Sequence, residues 1–140
     1  MKVLGIDPGE KNIGIAISDS SGTIANPLTV LKHNSRLIDA AMISQIAMEQ
    51  GADLIVVGQA LDHEGEPTYA GRKATRLAAA IRTQSEVRVE LWDESHSTQS
   101  ARAARIEMGL TRKRRGGHLD ELAATIILQS YLDAHASVNP

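Results

Sequence analysis

Carboxylates stand at three places in this sequence where an element of secondary structure should end or begin. Asp7 follows the apolar run Val3–Ile6 and precedes Pro8-Gly9. Asp93 and Glu94 follow the alternating Val87, Val89 and Leu91. Asp120 and Glu121 open a strongly apolar stretch near the end of the chain. Strand ends at the carboxyl edge of an α/β sheet converge on one crevice. Carboxylates gathered there repel one another unless cations neutralise them, and Mg²⁺ and Mn²⁺ are hard ions that prefer such oxygen ligands. Two such ions ~3.5–4 Å apart can clamp the attacking and leaving oxygens of a phosphodiester displacement. Each acid alone has a structural explanation: a turn former at Asp7, a strand end or helix cap at Asp93-Glu94, a helix-dipole partner at Asp120-Glu121. Their common placement at one predicted edge is what points to a metal-binding, phosphate-directed site.

The one dense basic run, Arg112, Lys113, Arg114 and Arg115, leads through Gly116 and Gly117 directly to Asp120. A cationic loop there can hold phosphates without reading sequence, although a solvated surface loop has the same composition. Arg102 and Arg105, three apart on one helix face, can extend the patch. Five histidines show no H-x-x-x-H spacing and there is no cysteine, which argues against zinc. His63, His96 and His118 fall near predicted loops, and His118 is the strongest candidate for a functional histidine.

The elements that must position these groups follow from periodicity. Val3–Ile6 reads as a strand stopped by Pro8-Gly9. Ile13, Ile15 and Ile17 alternate with Gly14, Ala16 and Ser18 in a second strand. Ile24–Leu31 makes a third, with Pro27 favouring an edge position. Short turns between the three imply an antiparallel meander. Leu37, Ile38, Ala41, Met42 and Ile46 recur at helical steps, with Gly51 as the stop. Leu54–Val57, closed by Gly58, is the unbroken run expected of a strand covered on both faces. Pro67 opens a second helix as its first residue, with an apolar stripe of Ala70, Ala74, Leu77, Ala78 and Ile81. A fifth strand runs through Val87, Val89 and Leu91. Ser97 or Thr98 caps a third helix carrying Ala101, Ala104 and Met108, ended by Gly109. Leu119–Leu132 is the last helix, and 136–140 reads as a frayed tail. The order β-β-β-α-β-α-β-α-α predicts an α/β fold with a mixed five-stranded sheet, an antiparallel meander plus two parallel strands, flanked by helices.

Composition bounds the partners. With 140 residues and 42% hydrophobic content, one globular domain spanning 1–140 is expected. No apolar run approaches the ~20 residues of a membrane span, the N-terminus does not read as a signal peptide, and the lack of cysteine suits a reducing cytoplasm. A net charge of −2 argues against a uniformly cationic coat but not against a local patch. Trp92, Tyr69 and Tyr131 are the only aromatics, so binding to nucleic acid should rest on phosphates rather than on an aromatic stacking platform.

A family resemblance rests on four motifs. Gly5-Ile6-Asp7-Pro8-Gly9-Glu10-Lys11-Asn12-Ile13-Gly14-Ile15-Ala16-Ile17-Ser18-Asp19 resembles the opening motif of the YqgF family, the Holliday-junction-resolvase-like, ribosomal-RNA-precursor nuclease branch of the RNase H superfamily. Ile55-Val56-Val57-Gly58 with Leu61, Asp62 and Gly65 resembles its strand-loop signature. Leu91-Trp92-Asp93-Glu94 with Ser97-Thr98 and Ala101 resembles its W-D-E-R-x-[ST]-T-x-x-A motif. Arg112-Lys113-Arg114-Arg115 with Asp120, Ala123-Ala124 and Ile127-Leu128-Gln129 resembles its closing basic loop and helix. The match spans nearly the whole chain. It implies an RNase H-like fold, an acidic triad of Asp7, Glu94 and Asp120 that holds Mg²⁺ or Mn²⁺ and carries catalysis, and substrate contacts from Lys11 and the basic run. It also implies 5′-end maturation of pre-16S rRNA. Ser95 stands where the family usually has Arg, and Gln59-Ala60 replace Leu-Pro. Losing that Arg removes a planar donor. A fifth strand two places from the first would put Glu94 ~10 Å away, so that a bridging metal or a local twist is needed.

The functions to be separated are therefore an endonuclease on structured or precursor RNA, a resolvase of four-way DNA junctions, and a catalytically weak nucleic-acid-binding module. A resolvase cuts two strands symmetrically and favours a C₂ dimer; otherwise a monomer suffices. An actin-like or sugar-kinase ATPase also carries D-x-G on a first strand, but that fold needs two such domains, and a Walker-type P-loop is absent.

Overall fold

The computed structural model describes residues 1–94 and 120–136. The third predicted helix, the basic run 112–115, Ser95, His96, His118 and the tail 137–140 lie outside the described residues.

The described elements are β1 (Val3–Pro8), β2 (Asn12–Ser18), β3 (Ala25–Lys32), α1 (Arg36–Gln50), β4 (Leu54–Gln59), α2 (Tyr69–Gln84), β5 (Arg88–Asp93) and, after the segment 95–119, α3 (Asp120–Ala136). The strands form one five-stranded sheet in the order β3-β2-β1-β4-β5. β1–β2 and β2–β3 pair antiparallel, whereas β1–β4 and β4–β5 pair parallel, as the meander and crossovers require. β3 is an edge, so Pro27 costs no ladder bond there. The register shift between Ile15 and Ala16 passes over Leu28.

Strand periodicity divides the core. Leu4, Ile6, Ile13, Ile15, Ile55, Val57 and Val89 face α1 and α2. Val3, Ala16, Leu54 and Val56 face α3. β4 is buried on both faces, which explains its uninterrupted apolar run. On β2 the large isoleucines face one way, and the small Gly14 and Ala16 face α3. The small residues leave room for that helix to lie close to the sheet. α3 is accordingly buried from Ala123 to Leu128 without a polar face.

Two helix expectations are corrected. α1 does not bury the stripe of Leu37, Ile38 and Met42; these stay 66%, 47% and 42% exposed, while Ala40, Ile43 and Ala47 are buried. The sequence offers two apolar stripes, and tertiary contacts choose between them. The chosen stripe carries Asp39, whose buried carboxylate accepts from Asn34 N–H at 3.0 Å and pairs with His33 Nδ1 at 2.5 Å. Pro67 is not the first residue of α2. Thr68 caps that helix, its hydroxyl accepting from Gly71 N–H at 3.1 Å, and Pro67 instead pairs with Leu61 across a short loop. No helix among the described residues is long and apolar enough to cross a membrane.

Candidate active site

Asp7 lies near the carboxyl end of β1, directly opposite Gly14 of β2. Residues paired across an antiparallel ladder present their side chains to the same face. Gly5 and Asp7 therefore look toward α3, since Leu4 and Ile6 look the other way. A Cβ on Gly5 would lie 2.7 Å from Leu128 Cβ, so α3 is pressed against β1. A Cβ on Gly14 would lie 2.0 Å from the backbone oxygen of Asp120. The first residue of α3 thus sits against Gly14, the ladder partner of Asp7, so that two acids 113 positions apart in sequence belong to the same end of the β1–β2 pair.

Asn12 completes this corner. Its Nδ2 donates to Asp120 Oδ2 at 3.4 Å, and its backbone oxygen accepts from Gly9 N–H at 3.0 Å, which closes the β1–β2 turn. Within the opening motif, Asn12 is a polar residue to which the sequence assigns no role. The signal was available: positions 12 and 14 share a face of β2 by the two-residue period, so an amide there must lie beside whatever covers Gly14. α3 is held in this pose by burial of Ala124, Leu128 and Leu132, at roughly 1.5–3 kcal/mol for each leucine-sized side chain.

Glu94 follows β5, which lies two places from β1, a spacing of ~10 Å. Glu90 and Trp92 face α3: Tyr131 Oη donates to Glu90 Oε2 at 2.6 Å, and Trp92 meets Tyr131 edge-on at 5.2 Å. β5 ends at Asp93, and Glu94 is the first residue beyond it. Among the described residues no group of three His, Cys, Asp or Glu side chains lies close enough to hold a metal ion. The structure sets the start of α3 on Gly14, the partner of Asp7 in the β1–β2 ladder. The donor set at this corner, two hard carboxylates with an amide steadying one of them, fits Mg²⁺ or Mn²⁺ chemistry.

Other sequence candidates are placed as follows. Lys11 is exposed in the β1–β2 turn beside Asn12, and its backbone oxygen accepts from His33 N–H at 2.8 Å. His63 lies in the exposed loop between β4 and α2. Gln59, the departure from the family pattern, donates to Thr75 Oγ1 at 2.7 Å and to the Gly71 carbonyl at 3.4 Å, tying the end of β4 to α2. In the same loop Asp62 Oδ1 accepts from the backbone N–H groups of Glu64 and Glu66, which gives that motif residue a loop-closing role.

Comparison with known proteins gives a consistent result. Residues 1–134 match the family model described as RuvX, Holliday junction resolvase. A protein of Thermoanaerobacter pseudethanolicus named "Putative pre-16S rRNA nuclease" is 38% identical over 135 residues, 96% of this chain and 97% of that relative. One of the same name from Myxococcus xanthus is 35% identical over 135 residues, 96% and 89% of the two chains. Among solved structures, Thermus thermophilus RuvC in complex with a Holliday junction substrate superposes with a TM-score of 0.64 at 19% identity, over 98% of this chain and 96% of that one. The fowlpox virus Holliday junction resolvase gives 0.57 at 15% identity, over 96% and 99%. These two likenesses establish a shared fold of the RNase H type.

Proposed function

The chain belongs to the RuvX Holliday junction resolvase family, and from that nuclease membership we propose that it is a metal-dependent endonuclease acting on precursor 16S rRNA at its 5′ end. The observation that carries the reading is the convergence of Asp7 and Asp120 across Gly14. The RNA assignment is supported by the name shared by relatives that match along nearly their full length.

Asp7 and Asp120 would hold the ion, with Glu94 adding a ligand from β5. When bound, Mg²⁺ or Mn²⁺ supplies Lewis acidity and lowers the pKa of water. The chain itself orients the ligands. Asn12 fixes one oxygen of Asp120, and the rigid β1–β2 pair fixes Asp7. Lys11 and the run Arg112, Lys113, Arg114 and Arg115 serve as phosphate contacts, which position a strand without reading its bases. A precursor RNA as substrate places the protein in the cytoplasm.

Resolution of four-way DNA junctions is the second reading. It is favoured by the family description and favours a C₂ dimer that cuts two strands symmetrically, whereas a monomer suffices for trimming RNA. Both are tested by one assay: cleavage of 5′-extended 16S precursor RNA and of a synthetic four-way junction, with Mn²⁺, Mg²⁺ or EDTA. Metal-dependent cutting of the RNA, lost in Asp7→Asn, is expected. Cutting of the junction alone would overturn the RNA assignment. Equal cutting in EDTA would overturn the metal.

A further inference from the structure

Across the sheet from the acidic corner lies a cleft of about 510 Å³, within the ~300–1,000 Å³ range of ligand pockets. One wall is the turn Pro8–Glu10 that immediately follows Asp7. The others are the start of α1 and the first two turns of α2. Arg36, Lys73 and Arg76 line it, and among the described residues none of the three forms an ion pair. Glu10 is the single carboxylate of the lining not engaged by His33. Lys73 Nζ rests 4.8 Å from the centroid of the Tyr69 ring, which restrains the ammonium at the cleft.

His33 also lines the cleft. Its Nδ1 pairs with Asp39, a carboxylate only 2% exposed whose other oxygen is taken by Asn34 N–H. The pair fixes the ring, so Nε2 occupies the opposite edge. Three cations, Arg36, Lys73 and Arg76, on one concave wall against the lone unengaged carboxylate of Glu10 suit an oxyanion, and the fixed His33 ring lies beside whatever enters. Nothing in the acidic corner uses these groups.

We infer that this cleft is a second phosphate-binding site, which takes the backbone of a nucleic-acid strand a few nucleotides from the bond held at Asp7 and Asp120. The inference rests on the nuclease reading for its ligand. The turn Pro8–Glu10 separates the two sites, so a strand crossing the sheet edge passes from one face to the other. Inorganic phosphate and free mononucleotides share the same chemistry and are separated from a strand by length dependence.

The test is equilibrium binding in EDTA, which needs neither metal nor cleavage. Fluorescence anisotropy is read with a labelled 20-nucleotide single-stranded RNA, with inorganic phosphate and adenosine monophosphate as competitors. Lys73→Gln/Arg76→Gln removes two contacts on exposed positions, with melting temperature as the folding control. Each lost contact should flatten the log–log salt slope by about 0.7 and weaken binding about 5-fold at ~0.1 M salt, hence about 25-fold for the pair. Asp7→Asn should bind as tightly as wild type or tighter. The His33 ring resonances should shift on adding RNA to the wild type. Unchanged affinity and salt slope in the double variant, or no RNA binding by the wild type in EDTA, would overturn the cleft while leaving the metal-dependent cleavage assay to judge the nuclease. Mononucleotide binding as tight as that of the RNA would overturn the strand and leave a small-nucleotide site.

Discussion

Gly14 and Asp120 are in direct steric contact: a single added carbon on Gly14 would lie 2.0 Å from the Asp120 backbone oxygen and 3.2 Å from the next amide nitrogen. The obstacle is backbone, so no side chain can rotate away to relieve it. Asp7 pairs with Gly14, so whatever displaces the first turn of α3 also moves Asp120 relative to Asp7, the two acids of the proposed metal site.

Gly14→Ala should therefore impair activity more than stability. Overpacking costs ~1–3 kcal/mol, or roughly 3–12 °C in melting temperature for a chain of this size. At a temperature where the variant is fully folded by circular dichroism, cleavage should still be down by at least 10-fold. Wild-type turnover in the folded variant would show that Asp120 is not required in its observed place.

Asn12→Ala removes the amide that steadies Asp120 Oδ2. Losing a group that orients a metal ligand typically costs 10–100-fold in metal affinity or activity. Raising Mn²⁺ should recover part of the rate, and the melting temperature should change little because Asn12 is only partly buried. A rate independent of Asn12 at every Mn²⁺ concentration would leave the bond a structural detail.

Asp120→Asn separates chemistry from folding. The shape is kept, and α3 remains anchored by Ala124, Leu128 and Leu132. Cleavage should drop by orders of magnitude, with nucleic-acid binding preserved or tightened by the loss of one repulsive charge. If Asp120 were only a helix-end acid, stability would fall by ~0.3–1 kcal/mol and cleavage would persist at saturating Mg²⁺.

Alkaline pH should loosen the α3–β5 contact. Burial, reinforced by its hydrogen bond to Glu90, pushes the Tyr131 hydroxyl up to about 12 from an ordinary value of 10.0. The folded state favours the protonated phenol. Its contribution is complete below pH ~10 and is lost as pH rises toward 12. Urea unfolding across pH 9–12 should show this decline in the wild type and a shallower one in Tyr131→Phe. Identical profiles would remove Tyr131 as the cause.

Much of this protein was determined by the sequence alone, because the deciding physics is local. Period-two alternation defined β2 and β5, an uninterrupted apolar run marked β4 as a strand covered on both faces, and Pro27 marked an edge. Asp7, Glu94 and Asp120 were legible as acids at element ends, and the motifs around them carried the family. The choice of buried face on α1 was not legible, because two apolar stripes satisfy the helical period equally. Packing of Ala40, Ile43 and Ala47 against the sheet and α2 decides it, with the buried Asp39 satisfied by His33 and the Asn34 amide. Pro67 suited a helix start on its fixed φ, yet Thr68 took the cap because its hydroxyl could serve both Gly71 N–H and the Ala60 carbonyl. The closeness of Asp120 to Asp7 depends on a helix crossing the sheet at residues too small to resist it, and the cleft of His33, Arg36, Lys73 and Arg76 joins two helices and a turn. Long-range packing places such groups together, and no periodicity in the chain encodes it.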